Sequence, residues 1–339
     1  MSDSMNRRQV NLTLGAASLA GLGSLLFGST AHAAQNFPVG TLYGKDHVVS
    51  RQAATFAAAV ADKTGGEIKV VPRTGSPFGD VYQIGKQVAN GQRKMDVVSM
   101  STDVDPRLSI GYMGGLVSNW DEVIQLYGPN GKFIDVLNWI GEDVGYKYLY
   151  TAPSGFGGIG FRGDAPTTLP SPVKYKTRVA PYKGMIARFE GLGLNAIPMP
   201  YSETYTALQT GAIDAKGATP PEEAVDAFAD VLKHYLYSRD YFEGIIGMAV
   251  NLDWFNSQPA NIQEALVAAG QEAWASGWEN VEANEQVFLD TLREKGVDVI
   301  VLDDATYQNI KKIAQETEWP VLEETVGKEL MDRIRAIAL

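Results

Sequence analysis

Cysteine is absent from the 339-residue sequence, so neither disulfide bonds nor thiol chemistry is available to this protein. Histidine is scarce, and His32, His47 and His234 are too few and too scattered for a histidine-rich metal site. Basic residues number 29 against 40 acidic ones, and the formal net charge of -11 argues against a nucleic-acid partner. We predict no metal site, no cofactor and no nucleic-acid partner.

Common enzyme motifs are missing too, since the sequence has no G-x-S-x-G, no H-E-x-x-H and no P-loop. Gly155, Gly157 and Gly160 spell G-x-G-x-x-G, but the segment runs into Phe161 and Arg162 and a proline-rich loop instead of opening a helix. A dinucleotide site is therefore disfavoured. We expect a protein that is not an enzyme. An exported hydrolase with a carboxylate pair stays a less favoured alternative, because acidic residues are abundant.

The N-terminus is typical of an export signal. Arg7 and Arg8 precede a mildly apolar run, Leu12–Phe27, which is short for a membrane span. An A-x-A cleavage pattern follows at residues 31–33. We predict that residues 1–33 are a signal peptide and that the protein works in the periplasm. The paired arginines favour the twin-arginine route over the Sec route.

The stretch from Lys176 to Gly217 has the pattern strand, helix, strand, helix, strand. Helical spacing over 182–192 stops at a glycine, and Gly211 ends a second helix that starts near Glu203. In such a unit, ligands bind at the carboxyl ends of the strands. Arg178 and Tyr201 lie near two of these ends.

Two motifs in this stretch resemble one family. The strand KTRV, followed by PMPYSETYTALQTG at 198–211, is similar to the DctP-type solute-binding proteins of tripartite ATP-independent periplasmic (TRAP) transporters. The helix that ends in DKTGGEIKV near residue 70 adds to the resemblance. The likeness covers most of the chain from about Thr41 and is loose only around residues 103–145.

The resemblance implies an α/β fold of the two-lobed periplasmic-binding-protein type. Each lobe would be a mixed sheet flanked by helices, and a long helix from Pro259 to about Lys295 would bridge both lobes. We place lobe I at 34–155 plus about 244–270. Lobe II and the C-terminal helices would then take 156–243 plus about 271–339. The first lobe should start as βαβαβ with parallel strands, and two helices, Asp304–Thr317 and Trp319–Ile337, should end the chain.

The same resemblance implies a ligand site. Arg178 would pair with a ligand carboxylate, for which a guanidinium is the matched partner. Arg162 would be a second arginine, and the ring of Tyr201 would pack on the ligand. Gly217 and Ala218 stand where relatives carry larger residues, so we expect a roomier wall that favours a bulkier or aromatic acid. Further candidates follow strands or precede the return strand Gly244–Asn251: Asp103, Arg107, Trp120, Phe242 and Glu243.

The function implied is an extracytoplasmic receptor that captures an organic acid anion between two closing lobes. Its partners would be that carboxylate ligand and the small and large integral membrane subunits of a TRAP permease. A receptor for another importer class, such as an ABC system, is the alternative, because two-lobed receptors share their architecture. The sequence does not identify the acid.

Overall fold

The chain folds into an α/β structure, as predicted. The computed structural model describes residues 34–79, 81–244 and 246–339, and the predicted signal peptide at residues 1–33 lies outside these residues. The strands, in chain order, are β1 Gln35–Gly40, β2 Ile68–Arg73, β3 Met95–Ser99, β4 Tyr146–Ala152, β5 Gly155–Phe156, β6 Gly158–Phe161, β7 Lys176–Val179, β8 Asn195–Pro198, β9 Ala215–Thr219, β10 His234–Tyr237, β11 Phe242–Glu243, β12 Ile246–Asn251 and β13 Asp298–Val301.

The helices flank these strands. They are α1 Val48–Lys63, α2 Val81–Ala89, α3 Trp120–Tyr127, α4 Phe133–Val144, α5 Lys183–Gly191, α6 Thr204–Thr210, α7 Pro221–Glu223, α8 Leu252–Ser257, α9 Ala260–Trp278, α10 Val281–Glu294, α11 Asp304–Val326 and α12 Lys328–Ile337. Short 3₁₀ segments occur at Pro106–Tyr112 and Tyr201–Glu203, and a π-helical turn, Ala224–Phe228, continues α7.

The first lobe holds a three-stranded sheet with the order β3-β12-β4, and β12 is antiparallel to both neighbours. All residues of β3 and β12 are buried, which agrees with their nearly continuous apolar sequence. A separate parallel pair, β1 and β2, is connected through α1. The predicted parallel start is therefore right for β1 and β2 and wrong for β3, because the return strand β12 takes the place beside it.

The second lobe is built on a six-stranded mixed sheet with the order β13-β10-β6-β9-β7-β8. Strands β7, β8 and β9 are parallel, with α5 and α6 as their connections, so the strand–helix pattern predicted for this stretch is confirmed. Gly211 ends α6 in the left-handed conformation, with φ of 79°, where glycine avoids the steric penalty of a side chain. The carboxyl ends of these three strands point to the same edge of the sheet.

The chain crosses between the lobes through β5 and β11, which pair antiparallel. A helical segment also bridges the lobes, but it is interrupted. Helix α9 ends at Trp278 and α10 begins at Val281, with Asn280 between them in the left-handed conformation at φ of 58°. Asparagine tolerates this conformation better than most residues. Helix α9 packs on α1 and β4, whereas α10 packs on α7 and β13.

The C-terminal helices differ from the prediction in their boundary. Helix α11 continues through Pro320 to Val326, and the break occurs at Gly327. Residues beside the proline hold the helix in place, since Glu318 pairs with the buried Arg188 and the indole N–H of Trp319 donates to the carbonyl of Gly114 at 3.0 Å. Within the described residues, no helix combines the length and the apolar character needed to cross a membrane.

Candidate functional site

A cleft of about 540 Å³ lies between the two lobes. The first lobe contributes Tyr43, His47 and Ser99 to its wall, from the start of the chain and from β3. The second lobe contributes side chains from the carboxyl ends of β7 and β9 and from α7. A cleft of this volume, at the place where parallel strands end, has the size and position of a small-molecule site.

Arg178 is the arginine of this cleft. Its side chain is only 6% exposed, on a strand whose following residue, Val179, is fully buried. The Nε–H group donates to the carbonyl of Met199 at 3.0 Å, which fixes the plane of the guanidinium. Its central carbon lies 5.8 Å from the centre of the Tyr201 ring. An arginine held in this way presents a rigid fork, which suits the two oxygens of a carboxylate.

The ring of Tyr201 lies within 6 Å of two cationic side chains, Arg178 and Lys216. Its ring is 52% exposed and packs edge-on to Phe228, with ring centres 6.0 Å apart. Besides Arg178, the ammonium group of Lys216 lies 5.9 Å from its centre. The aromatic face is therefore turned toward the cleft, where a bound molecule could pack on it.

Lys216 is a cleft residue that the sequence reading did not single out. It lies on β9 and is 2% exposed. Its ammonium group donates to Glu223 at 2.8 Å, to the hydroxyl of Thr219 at 2.7 Å and to the carbonyl of Ala218 at 3.2 Å. Burial lowers the pKa of Lys216, and the nearby Glu223 opposes that effect. Its signal in the sequence was a lysine at an inward-facing position of a buried strand.

Carboxyl groups are numerous in the same cleft: Glu222, Glu223, Asp226 and Glu243. Burial, followed by repulsion from Glu223, raises the pKa of Glu243 to about 8. The hydroxyl of Tyr241 lies 3.3 Å from the carboxyl group of Glu243. Glu222 is paired instead with the imidazole of His47 at 3.2 Å. The cleft thus combines two strongly basic side chains, Arg178 and Lys216, with four carboxyl groups, one of which is paired with Lys216.

Tyrosines form much of the remaining wall. Tyr112 and Tyr182 stack with ring centres 4.5 Å apart, and Tyr43 stacks on His47 at 3.6 Å. All of these rings line the cleft, together with Tyr201 and Tyr241. The site therefore offers aromatic faces and phenol groups as well as charges.

Of the ten candidate ligand residues, Arg178, Tyr201 and Ala218 line this cleft. Glu243, a further candidate, lines it as well. Gly217 faces the opposite side of the sheet, where an added Cβ would lie 2.1 Å from the ring of Phe189. The small residue at 217 therefore serves the packing of the second lobe, and a roomier wall can come only from Ala218.

The other five candidates lie outside the lining of the cleft. Asp103 is exposed 3.5 Å from Lys86, and Phe242 packs on Trp120 with ring centres 6.0 Å apart. Arg162 is exposed on the second lobe, and its Nε–H donates to the carbonyl of Leu208 at 2.8 Å. Trp120 is buried against the rings of Phe156 and Phe242, where it packs on the crossover strands. Arg107 forms ion pairs with Asp105 at 2.9 Å and Asp143 at 2.8 Å. These contacts hold the side chains of Arg162, Trp120 and Arg107 in positions away from the cleft.

Comparison with protein families gives one decisive match. The model of the DctP family, described as bacterial extracellular solute-binding protein, family 7, matches residues 39–322. The chain belongs to this family. The resemblance stated from the sequence is confirmed, and the protein is a solute receptor of the periplasm, as predicted.

Curated DctP relatives cover nearly the whole chain. The 2,3-diketo-L-gulonate-binding periplasmic protein YiaO of Escherichia coli is 26% identical over 299 residues, which are 87% of this chain and 88% of that protein. The ectoine-binding periplasmic protein TeaA of Halomonas elongata is 23% identical over 331 residues, 94% of each chain.

Solved structures show the same fold. A TRAP periplasmic solute-binding protein from Desulfovibrio salexigens with bound orotic acid has a TM-score of 0.75 and 22% identity, and the match covers 89% of this chain and 97% of that one. A second, from Sulfitobacter with bound β-D-galacturonate, has a TM-score of 0.73 and 20% identity over 89% and 100% of the chains. The two-lobed architecture predicted for this DctP-family chain is thereby confirmed.

Proposed function

We propose that this protein captures an organic acid anion in the cleft between its lobes and delivers it to a TRAP-type membrane permease. The position of Arg178 carries the proposal, because this buried guanidinium faces a cavity large enough for a small molecule. A carboxylate that leaves water needs such a partner, since an unpaired buried charge is heavily penalised. Relatives whose names or bound ligands include sugar acids, a C4-dicarboxylate and orotic acid support a carboxylate as the common element.

The mechanism of capture follows from the two sides of the cleft. A ligand that touches Arg178 and Tyr201 on one lobe and residues of the other lobe binds the closed arrangement more tightly than the open one. It therefore shifts the population toward closure. Partners of the closed receptor would be the small and large membrane subunits of the permease. A receptor with this task needs no catalytic group, and we propose that the protein is not an enzyme.

The test uses the chain without residues 1–33 and a panel of dicarboxylates, oxo and hydroxy acids, aromatic acids, sugar acids and sulfonates. A ligand at 100 times its Kd should stabilise the protein by about 2.7 kcal/mol, which raises the Tm by about 5–10 °C. Arg178→Ala should weaken binding of every hit by about 2–5 kcal/mol, or about 30-fold and more in Kd. Arg178→Lys should rescue little, because an ammonium cannot form the two-pronged contact.

Arg162→Ala is the matched control, since Arg162 is an exposed arginine of the same lobe that lies outside the cleft. It should leave every hit unchanged. Ligands that bind equally well to Arg178→Ala would show that the carboxylate lies elsewhere, and turnover of a bound ligand would favour the enzyme alternative.

A further inference from the structure

The charges of the cleft do not match a ligand that is only an anion. Lys216 and Arg178 are its lysine and arginine side chains among the described residues, and four carboxyl groups share the wall with them: Glu222, Glu223, Asp226 and Glu243. A receptor for a dicarboxylate would need a second cation able to reach the ligand. Lys216 could be that second cation only if its ammonium group had a hydrogen bond to give to the ligand.

The ammonium group of Lys216 already donates all of its hydrogens to groups of the protein. An ammonium group has three hydrogens to donate. Glu223, Thr219 and Ala218 accept three hydrogen bonds from it within 3.2 Å. A second ligand carboxylate could reach this lysine only by displacing Glu223, and it would then lie beside that displaced carboxylate. The lysine thus neutralises Glu223 and does not supply a second anion site.

Glu243 is in the opposite situation. Within the described ranges it has no ion pair, and its polar contact is the neutral hydroxyl of Tyr241 at 3.3 Å. It projects from the crossover strand β11 into the cleft that also holds Arg178. A carboxyl group surrounded by protein and without a cation is costly in its ionised form, unless a cation joins it. Burial and repulsion from Glu223 raise the pKa of Glu243 to about 8, and the attraction of nearby Lys216, which donates its hydrogens elsewhere, does not offset them.

The aromatic wall provides an independent observation. The rings of Tyr43, Tyr201 and Tyr241 line the cleft, and all three lie close enough to Glu243 to interact with its charge. Aromatic faces attract cationic nitrogens through the charge distribution of the ring, and the attraction grows where water is excluded. A cleft with one fixed guanidinium, one carboxyl group without a counterion and several tyrosine faces suits a molecule that carries both signs of charge.

We propose that the solute is a zwitterion, whose carboxylate binds Arg178 and whose cationic nitrogen binds Glu243 among the tyrosines. This inference rests on the proposed function and specifies its ligand class. Because Arg178 belongs to β7 and Glu243 to the crossover strand β11, such a ligand would connect the second lobe with the crossover between the lobes. Glu243 would disfavour dicarboxylates, because a second carboxylate beside it gains no cation and meets a like charge whenever Glu243 is ionised.

The test compares matched probes that differ in one group. One series is 5-aminopentanoate, pentanoate and glutarate, and the other is 4-(aminomethyl)benzoate, 4-methylbenzoate and terephthalate. Kd values are measured by calorimetry up to about 10 mM, where binding is still detectable. In at least one series the amino member should bind about tenfold or more tightly than both analogues, as expected for a charged hydrogen bond.

Two variants locate the effect. Glu243→Gln should weaken the amino member about tenfold or more and change the monocarboxylate without the amine less than about twofold. Glu203→Gln is the control, because it removes the same charge from an exposed position outside the cleft. A preference for the amine that survives Glu243→Gln would overturn the assignment of Glu243.

Proton linkage provides a readout that loss of structure would not imitate. A cation bound at Glu243 favours the ionised carboxylate, so binding at pH 7 should release protons, and the heat should depend on the buffer. A second carboxylate would instead take up protons. The titratable groups that interact with Glu243 are Glu222, Glu223, Lys216, Tyr43, Tyr201 and Tyr241. Proton release should disappear in Glu243→Gln.

The outcomes separate the two proposals. If the dicarboxylate or the monocarboxylate without the amine binds tightest in both series and depends on Arg178, the receptor function stands and the zwitterion inference is wrong. If no member of either series binds by about 10 mM, the inference is also overturned. If ligands bind without any need for Arg178, the proposed function itself fails.

Discussion

His47 and Glu222 face each other across the cleft, with Nε2 and Oε2 3.2 Å apart. His47 stands before α1 of the first lobe, and Glu222 lies in α7 beside the second. The Nδ1 atom of His47 accepts a hydrogen bond from the backbone N–H of Val49 at 3.2 Å, so the neutral ring carries its hydrogen on Nε2. The imidazole therefore donates to Glu222 and links the lobes at the edge of the cleft.

Removal of this link should favour the open receptor. We expect His47→Ala to weaken ligand binding about two- to tenfold, mainly through faster dissociation, because one partly buried hydrogen bond of about 0.5–1.5 kcal/mol is lost from the closed state. Stopped-flow dissociation rates and the radius of gyration of the ligand-bound protein measure the effect. His234→Ala is the control, since His234 pairs with Asp298 on the second lobe. An unchanged dissociation rate in His47→Ala would contradict a role of this pair in closure.

Stability should fall as the pH rises through the neutral range. Burial raises the pKa of Glu285 from 4.5 to about 8, although the N–H of Phe156 and the hydroxyl of Tyr237 donate to it. The folded protein keeps a proton that the unfolded chain has lost. The contribution of this proton to the free energy of unfolding is therefore complete below about pH 4.5 and is lost as the pH rises to about 8.

Urea unfolding at pH 5, 6.5 and 8.5 measures this dependence. Glu285→Gln should flatten part of it, because the amide keeps an acceptor for the N–H of Phe156 and does not ionise. Glu294→Gln, an exposed change on the same helix, should leave the slope unchanged. Equal slopes in the wild type and Glu285→Gln would show that Glu285 does not hold its proton in the folded state.

The fully buried Arg188 should be essential for stability. Its guanidinium pairs with Asp240 at 3.2 Å and with Glu318 at 2.7 Å, and it donates to the carbonyl of Tyr112 at 3.0 Å. These contacts connect α5 to the loop before β11 and to α11. Arg188→Met leaves two buried carboxylates without their cation, so we expect a loss of about 3–5 kcal/mol in the free energy of unfolding.

Arg293→Ala is the comparison for that measurement, because Arg293 forms an exposed pair with Asp290 at 2.6 Å. Its loss should cost less than about 1 kcal/mol. If both variants lost the same small amount in urea titrations, the buried cluster would not hold these elements together.

The sequence predicted the central unit of the second lobe well, because local periodicity and Gly211 determine its strands and helices. Arg178 and Tyr201 were found through a motif, and both line the cleft. The direction in which each side chain points was harder to predict from the sequence. Residues of a strand alternate between its faces, so Lys216 and Ala218 share the cleft side while Gly217 faces Phe189.

Features that depend on distant partners were not predictable from the sequence. Glu223 becomes the counterion of Lys216 only because α7 folds back over β9. Strand β12 pairs with β3 across about 150 residues of chain, which no local pattern encodes. The break at Asn280 interrupts an apolar pattern that is compatible with one continuous helix, and only the different packing of α9 and α10 reveals it.

That break changes what it takes to open and shut the receptor. A single continuous helix packed on both lobes would have to bend whenever the lobes approach each other. Here the bridge consists of two helices, α9 and α10, joined by Glu279 and Asn280, and each helix packs on its own lobe. Rotation can therefore be absorbed by a few backbone torsions at one joint, while every hydrogen bond inside α9 and α10 stays intact.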